Sequence, residues 1–264
     1  MKSFLYGLIL NIQFFTIIPL SKEVPVTDKT IKRAVETFPL IGFMQGIMYA
    51  LGLYLVLEVV HLSPLASSFF LWLLLIIGTG AIHLDGWIDC SDAYFSFRDV
   101  QKRLTIMQDS RVGAFGVLNV IVLLAARFLF IYETVLAANL TTYVLILFIP
   151  FLGKLFMGMV MYNLPLAKNG GMAYFFKKAI INEKPWTYLS YLVLFGIVSY
   201  FIYPMVSMIY LLLVGLSAIA FIISRKKIMK WFGGITGDVI GASVEGVETF
   251  LWLIVWLLHY FVMV

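Results

Sequence analysis

Eight apolar stretches alternate with short polar connections along this chain: residues 4–20, 39–60, 65–84, 113–136, 140–162, 187–203, 205–223 and 239–264. A bilayer core takes about 20 residues of helix to cross, and inside it no water can satisfy an exposed backbone amide. The pattern therefore predicts an all-α fold, a polytopic integral membrane bundle of seven or eight hydrophobic helices. The first and sixth stretches are short, which leaves room for seven spans or for one re-entrant piece. Composition agrees, since 62% of residues are hydrophobic and 12% charged, against roughly 25% charged in a soluble domain. The first stretch lacks a small-residue cleavage site and carries Asn11, Gln13 and Thr16, so it is expected to stay in the mature protein. Every connection is shorter than 30 residues, too short for a core of its own. Residues 1–264 read as one helical membrane domain.

The connections are of two kinds. Four long ones, at 21–38, 85–112, 163–186 and 224–238, carry four Lys or Arg each and together hold 16 of the 19 basic residues. The connections between them, near His61–Pro64, Ala137–Asn139 and Pro204, carry none. By the positive-inside rule all four basic connections face the cytoplasm. The net charge of +5 has no basic arm or RNA-binding motif behind it, so no nucleic acid partner is expected. A single cysteine, Cys90, excludes an internal disulfide and a multi-cysteine metal site.

The chemistry gathers where the third stretch meets its basic connection. In "HLDGWIDCSDAYFS", residues 83–96, Asp85, Asp89 and Asp92 stand at i, i+4 and i+7, which on a helix stacks them on one face. Their neighbours at three and four positions include no Lys or Arg. Unpaired carboxylates beside a bilayer are costly unless a cation sits among them, and hard oxygen donors suit Mg²⁺. Gly86 would leave room beside Asp85 for a bulky ligand. A solvated acidic face is the plainer alternative.

"MQDSRVGAFG", residues 107–116, adds Asp109 and Arg111 before the fourth stretch. It reads as a capped helix start whose free N–H groups, with Arg111 and the small Gly113 and Gly116, could take a phosphate. "GGITGDVIGASVEGVE", residues 233–248, sets Asp238, Glu245 and Glu248 among glycines, Gly237 and Gly241 forming a close-packing pair. Gly42 and Gly46 in "FPLIGFMQG" make another such face. Arg127 and Lys154 fall inside apolar stretches, where they either pair with these acids or contact phosphate. Carboxylates, Mg²⁺, phosphate and arginine together describe phosphoryl transfer better than ion transport.

These blocks resemble the cobalamin synthase family, the adenosylcobinamide-GDP ribazoletransferases. The likeness rests on "IQFFTIIP", "FPLIG", "GAIHLDGWIDCSDAYF", "RLTIMQDSRVGAFGV" and "TGDVIGASVEGVE", in order through nearly the whole chain. The chain departs from the family pattern at Ala93, at Lys154 and over residues 168–173. The resemblance implies a multi-pass enzyme of the prokaryotic cytoplasmic membrane, in contact with the lipid bilayer and with its active site on the cytoplasmic side. It implies Mg²⁺ as cofactor, and adenosylcobinamide-GDP and α-ribazole or its 5′-phosphate as substrates, with GMP released. On that reading Asp85, Asp89 and Asp92 hold metal. Asp109 completes the site or takes a hydroxyl proton, Arg111 and Lys154 steady phosphate beside Gly86 and Gly113, and Asp238 and Glu245 orient substrate or supply the base. A homo-oligomer is compatible with all of this, and the oligomeric state stays open.

Two rivals carry different expectations. A CDP-alcohol phosphotransferase would continue its first aspartates with an Arg and a later "GxxxDxxxD", which "DGWIDCSD" lacks. A cation or corrinoid transporter would place its acids at midspan across inverted repeats, and no repeat is visible.

Overall fold

The computed structural model describes residues 2–262, and among these every regular element is helical. Helices α1 (Lys2–Phe15), α2 (Asp28–Glu36) and α3 (Phe38–Tyr54) open the chain, and α3 runs on into a single π turn at Leu55–Val59. Then come α4 (Pro64–Gly78), α5 (Ile82–Phe95), α6 (Val100–Ile106), α7 (Ala114–Leu136), α8 (Leu140–Asn163), α9 (Gly171–Lys178), α10 (Trp186–Ile202), α11 (Pro204–Phe232) and α12 (Gly237–Phe261). Local chemistry sets several boundaries. Ser63 caps α4 through Ala66 N–H with Pro64 in the first turn, and Asn139 and Thr142 form a reciprocal capping box at the start of α8. Gly233, at φ 70°, ends α11 in the left-handed region.

Five elements are long and apolar enough to cross a bilayer: Phe38–Val59, α7, α8, α11 and α12. The third expected stretch does not run straight to residue 84. It breaks after Gly78, where Gly80 and Ala81 take φ of 63° and 57°, and α5 leaves at 83° to α4. Counting that bent pair as one crossing gives six, and the shorter apolar α10 makes a seventh apolar helix, within the seven or eight expected. The first stretch is helical only to Phe15, because Gln13 turns back to donate to the carbonyls of Leu20 and Lys22 at 2.8 Å each. The seventh continues as helix through Arg225–Lys230 instead of opening into a connection.

The four basic connections gather at one end of the bundle. Lys32 of the first pairs with Glu183 of the third at 2.5 Å. The third is bridged to the fourth through Leu166 and Ile235, with Ala167 N–H donating to the Ile235 carbonyl at 3.0 Å and Ile235 N–H to that of Pro165 at 2.9 Å. Arg103 of the second donates to the Trp231 carbonyl at 3.2 Å. With these connections together, α4 must return the chain that α3 takes away, and α10 with α11 does the same later. The bend turns α5 across the first turns of α12 at that basic end, and we read it as lying beyond the spans.

Packing is closest around α8, most of whose residues are buried. Gly42 and Gly46 of α3 lie against the carbonyls of Pro150 and Leu147, and a Cβ on Gly46 would stand 2.5 Å from the Leu147 oxygen. This is the glycine face read in the sequence, used for backbone contact. On the outside, Leu118, Ile121, Val122, Leu189, Val193, Met208, Leu211 and Ile222 are exposed, an apolar surface that suits lipid and not water.

Candidate active site

The acidic face of α5 is brought to α12 by the glycine between its first two aspartates. A Cβ on Gly86 would lie 2.6 Å from the Asp238 carbonyl oxygen and 2.9 Å from its Cα. The room expected for a ligand at Gly86 is therefore filled by the backbone of α12, and the crossing sets Asp238 beside Asp85 and Asp89. Thr236 caps α12 through Val239 N–H at 3.1 Å and stands 3.3 Å from the Asp238 carboxylate.

Asp89 feels this crowding. Burial, then Asp85, Asp238 and Asp92 in that order, raise its carboxyl to about 6. Among the described residues none of these four aspartates forms an ion pair. Nor do three His, Cys, Asp or Glu side chains there close around a single point as a ready-made metal cage. The donor set still fits Mg²⁺, which prefers carboxylate oxygen and commonly takes one or two carboxylates, completing its shell with water and substrate phosphate. Asp85, Asp89 and Asp238 are the groups that could supply them.

Asp92 shares the face but has another use. Its two oxygens accept from the N–H groups of Gly113 at 2.7 Å and Gly116 at 2.8 Å, capping the start of α7 from a different helix. A Cβ on Gly116 would stand 2.5 Å from that carboxylate, and one on Gly113 would also collide with it. The helix start expected to receive a phosphate is thus occupied by Asp92, and Gly113 serves to admit that side chain.

Asp109 and Arg111 lie on the exposed connection before α7 and bind each other. The guanidinium donates to the carboxylate at 2.7 and 3.0 Å, and Arg111 N–H adds a third bond at 3.0 Å. Arg111, chiefly through these hydrogen bonds, holds the Asp109 carboxyl down at about 2. Neither is among the charges that act on Asp89, and Arg111 is open to solvent.

Glu245 and Lys154 are deeper and closed off. Arg127, 3% exposed, reaches the Glu245 carboxylate at 2.6 Å and Thr249 at 2.6 Å, while Glu245 itself is 4% exposed. Lys154 is fully buried, with its Nζ 2.9 Å from His83 Nε2 and 4.0 Å from Glu248. Two cations thus face two acids between α7, α8 and α12, the ion-paired alternative of the sequence reading. Glu245 sits seven residues beyond Asp238, about 10 Å along the helix from the cluster, and Lys154 is engaged by His83 and Glu248. One residue the sequence did not single out does come close. Lys168, on the connection bridged to Ile235, is the leading charge acting on Asp238. Local pattern holds no sign of it, because the bridge joins segments far apart in the chain.

The model of the family described as cobalamin-5-phosphate synthase matches residues 7–256. The chain belongs to that family. Relatives named adenosylcobinamide-GDP ribazoletransferase include one from Geobacillus sp. (strain WCH70), 38% identical over 265 residues and covering all of both chains. Those from Geobacillus thermodenitrificans (strain NG80-2) and Halalkalibacterium halodurans are 37% and 33% identical, over 98% and 97% of each chain. No solved structure matches. The match takes in both the aspartate cluster and the buried charge network of this cobalamin-5-phosphate synthase family member.

Proposed function

We propose that this chain transfers the adenosylcobinamide-phosphate group from adenosylcobinamide-GDP to α-ribazole or its 5′-phosphate, releasing GMP, in the prokaryotic cytoplasmic membrane. The observation that carries the reading is the meeting of Asp85, Asp89 and Asp238, with no ion pair to any of them among the described residues, at the basic end of a chain of this family. By the positive-inside rule that end faces the cytoplasm, where both substrates would be met.

In the reaction a ribose hydroxyl oxygen of the acceptor bonds to the phosphorus attached to cobinamide. The bond from that phosphorus to the oxygen of GMP breaks. Mg²⁺, when bound, would offset charge on the phosphoryl oxygens and on the departing GMP. Asp85 and Asp89, with Asp238 across from them, would hold it. Asp92 keeps the start of α7 against α5 and so fixes the angle of the aspartate face. Asp238, half-buried on the first turn of α12, would take the hydroxyl proton through an oxygen left free of the metal. Asp109 is a poor base while Arg111 holds it near 2. Its service is to aim the exposed guanidinium at substrate phosphate. Glu245 acts only through Arg127, by fixing α7 against α12.

The test is turnover by the detergent-purified chain given adenosylcobinamide-GDP, either acceptor and Mg²⁺, with GMP and corrinoid product separated by chromatography. Equimolar GMP and product, abolished by a chelator and restored by Mg²⁺, is the expected result. Folded protein that releases no GMP under any of these conditions would end the reading.

A further inference from the structure

Several cations at the basic end are already engaged. Arg111 is bound to Asp109, Arg103 to the Trp231 carbonyl, and Lys177 caps α8 through the carbonyls of Met161 and Tyr162 at 2.7 and 3.0 Å. Lys227 lies over the Trp231 ring, 5.4 Å from its centroid. Lys168 differs. It is half-buried, and among the described residues it makes no ion pair within 4.0 Å.

Its backbone is nonetheless fixed. The two hydrogen bonds between Pro165–Ala167 and Ile235 hold the connection against the residues that lead into α12. Gly234 allows this approach, since a Cβ there would lie 2.6 Å from the Pro165 oxygen and 2.7 Å from the Ala167 nitrogen. A Cβ on Gly237 would stand 3.6 Å from that of Met172, so the same connection returns past the first turn of α12. Lys168 is carried between these two anchor points, next to Asp238. Beyond it, Gly170 and Gly171 border open space, with no atom within 4 Å of where a Cβ would stand.

From this placement we infer that Lys168 is a substrate-contact residue, whose ammonium takes a phosphate oxygen held over the aspartate cluster. The inference rests on the transferase reading above and adds a residue to it. An ammonium with no ion pair within 4.0 Å among the described residues, on an anchored backbone and beside open space, is suited to an oxyanion that arrives with substrate. That oxyanion can come from two places, the diphosphate of the donor or the 5′-phosphate of the acceptor.

The experiment compares wild type, Lys168→Gln and Lys168→Arg, full-length and reconstituted in vesicles. Each substrate is titrated in turn, with α-ribazole and its 5′-phosphate used separately as acceptors. Loss of one charge-assisted contact is expected to raise the relevant KM about tenfold or more, with the Arg variant recovering much of it. A rise in the donor KM with both acceptors assigns the donor diphosphate. A rise only for the phosphorylated acceptor assigns the acceptor phosphate. Unchanged KM values in Lys168→Gln would overturn the inference while the transferase stands, and so would a fall in kcat tracking a lower melting temperature alone. A wild type that releases no GMP would remove the transferase reading and the inference together.

Discussion

Two aspartates seven and four residues along one helix face should fail in opposite ways when substituted. Asp92→Ala removes both acceptors from the N–H groups of Gly113 and Gly116, bonds of 2.7 and 2.8 Å. A lost helix cap costs about 1 kcal/mol, and the negative charge at a helix start adds about 0.3–1 kcal/mol. With two N–H groups left bare at the start of α7, the total should be about 2–4 kcal/mol. For a chain of this length that is a fall in melting temperature of about 5–15 °C. Asp92→Asn should lose most of this too, since its NH₂ would face a donor. Asp89→Asn removes a carboxylate that burial and three other acids oppose, so it should melt no lower than wild type while losing turnover. The assay is available in the chain itself. Cys90, the single cysteine, is buried, so a thiol-reactive dye added during a thermal ramp in detergent reports unfolding. Asp92→Ala melting with wild type, or Asp89→Asn melting well below it, would refute the division.

Other substitutions test the frame around the site. In metal-free buffer the raised Asp89 carboxyl favours the folded chain when protonated, so its contribution to stability is present below about pH 4 and is lost as pH rises through about 6. Added Mg²⁺ should recover stability at pH 7 and bind more weakly below pH 6, and Asp89→Asn should flatten the difference between melting curves at pH 4 and 7. Arg127→Met leaves Glu245 charged and unpaired in the bundle, at a cost of about 3–5 kcal/mol. The double variant with Glu245→Gln should melt higher than the single one in the same dye assay. Gly42→Ala would drive a methyl into the Pro150 carbonyl and should lower the yield of folded protein, whereas Gly215→Ala, with open space around it, should not.

The helical character and many boundaries of the apolar helices were legible because each depends on a run of neighbours, whereas the short helices α2, α6 and α9 lay inside stretches read as connections. Residues 113–136 and 140–162 became α7 and α8 within one residue at each end. The break at Gly78–Ala81 was hidden because both sides of it are apolar. Only the left-handed Gly80 and Ala81 mark the turn, and Ala81 gives no warning of that in sequence. The continuation of α11 through Arg225–Lys230 was hidden for the opposite reason, since basic residues are good helix formers and hydropathy ends before the helix does. The grouping of the four basic connections followed from charge alone, and contacts through Lys32, Arg103 and Ile235 put them at one end.

The site was legible to the extent that periodicity says which residues share a face, and no further. Spacing put Asp85, Asp89 and Asp92 together, but it cannot say what lies opposite each turn of that face. Opposite the first two turns lies Asp238, because Gly86 lets α12 come within backbone contact. Opposite the third lies the start of α7, because Gly113 and Gly116 leave space for the Asp92 carboxylate. The glycines therefore sort three chemically identical side chains into two tasks. Gly86 directs Asp85 and Asp89 toward a shared and electrically strained cluster, and the pair at the start of α7 gives Asp92 two N–H donors in place of a cation. It follows that a substitution at Gly116 should act as Asp92→Ala does, by uncapping α7 and tilting the aspartate face, although Gly116 carries no group that could touch substrate. Gly116→Ala with wild-type melting and turnover would show that the angle between α5 and α7 is not what holds the cluster in place.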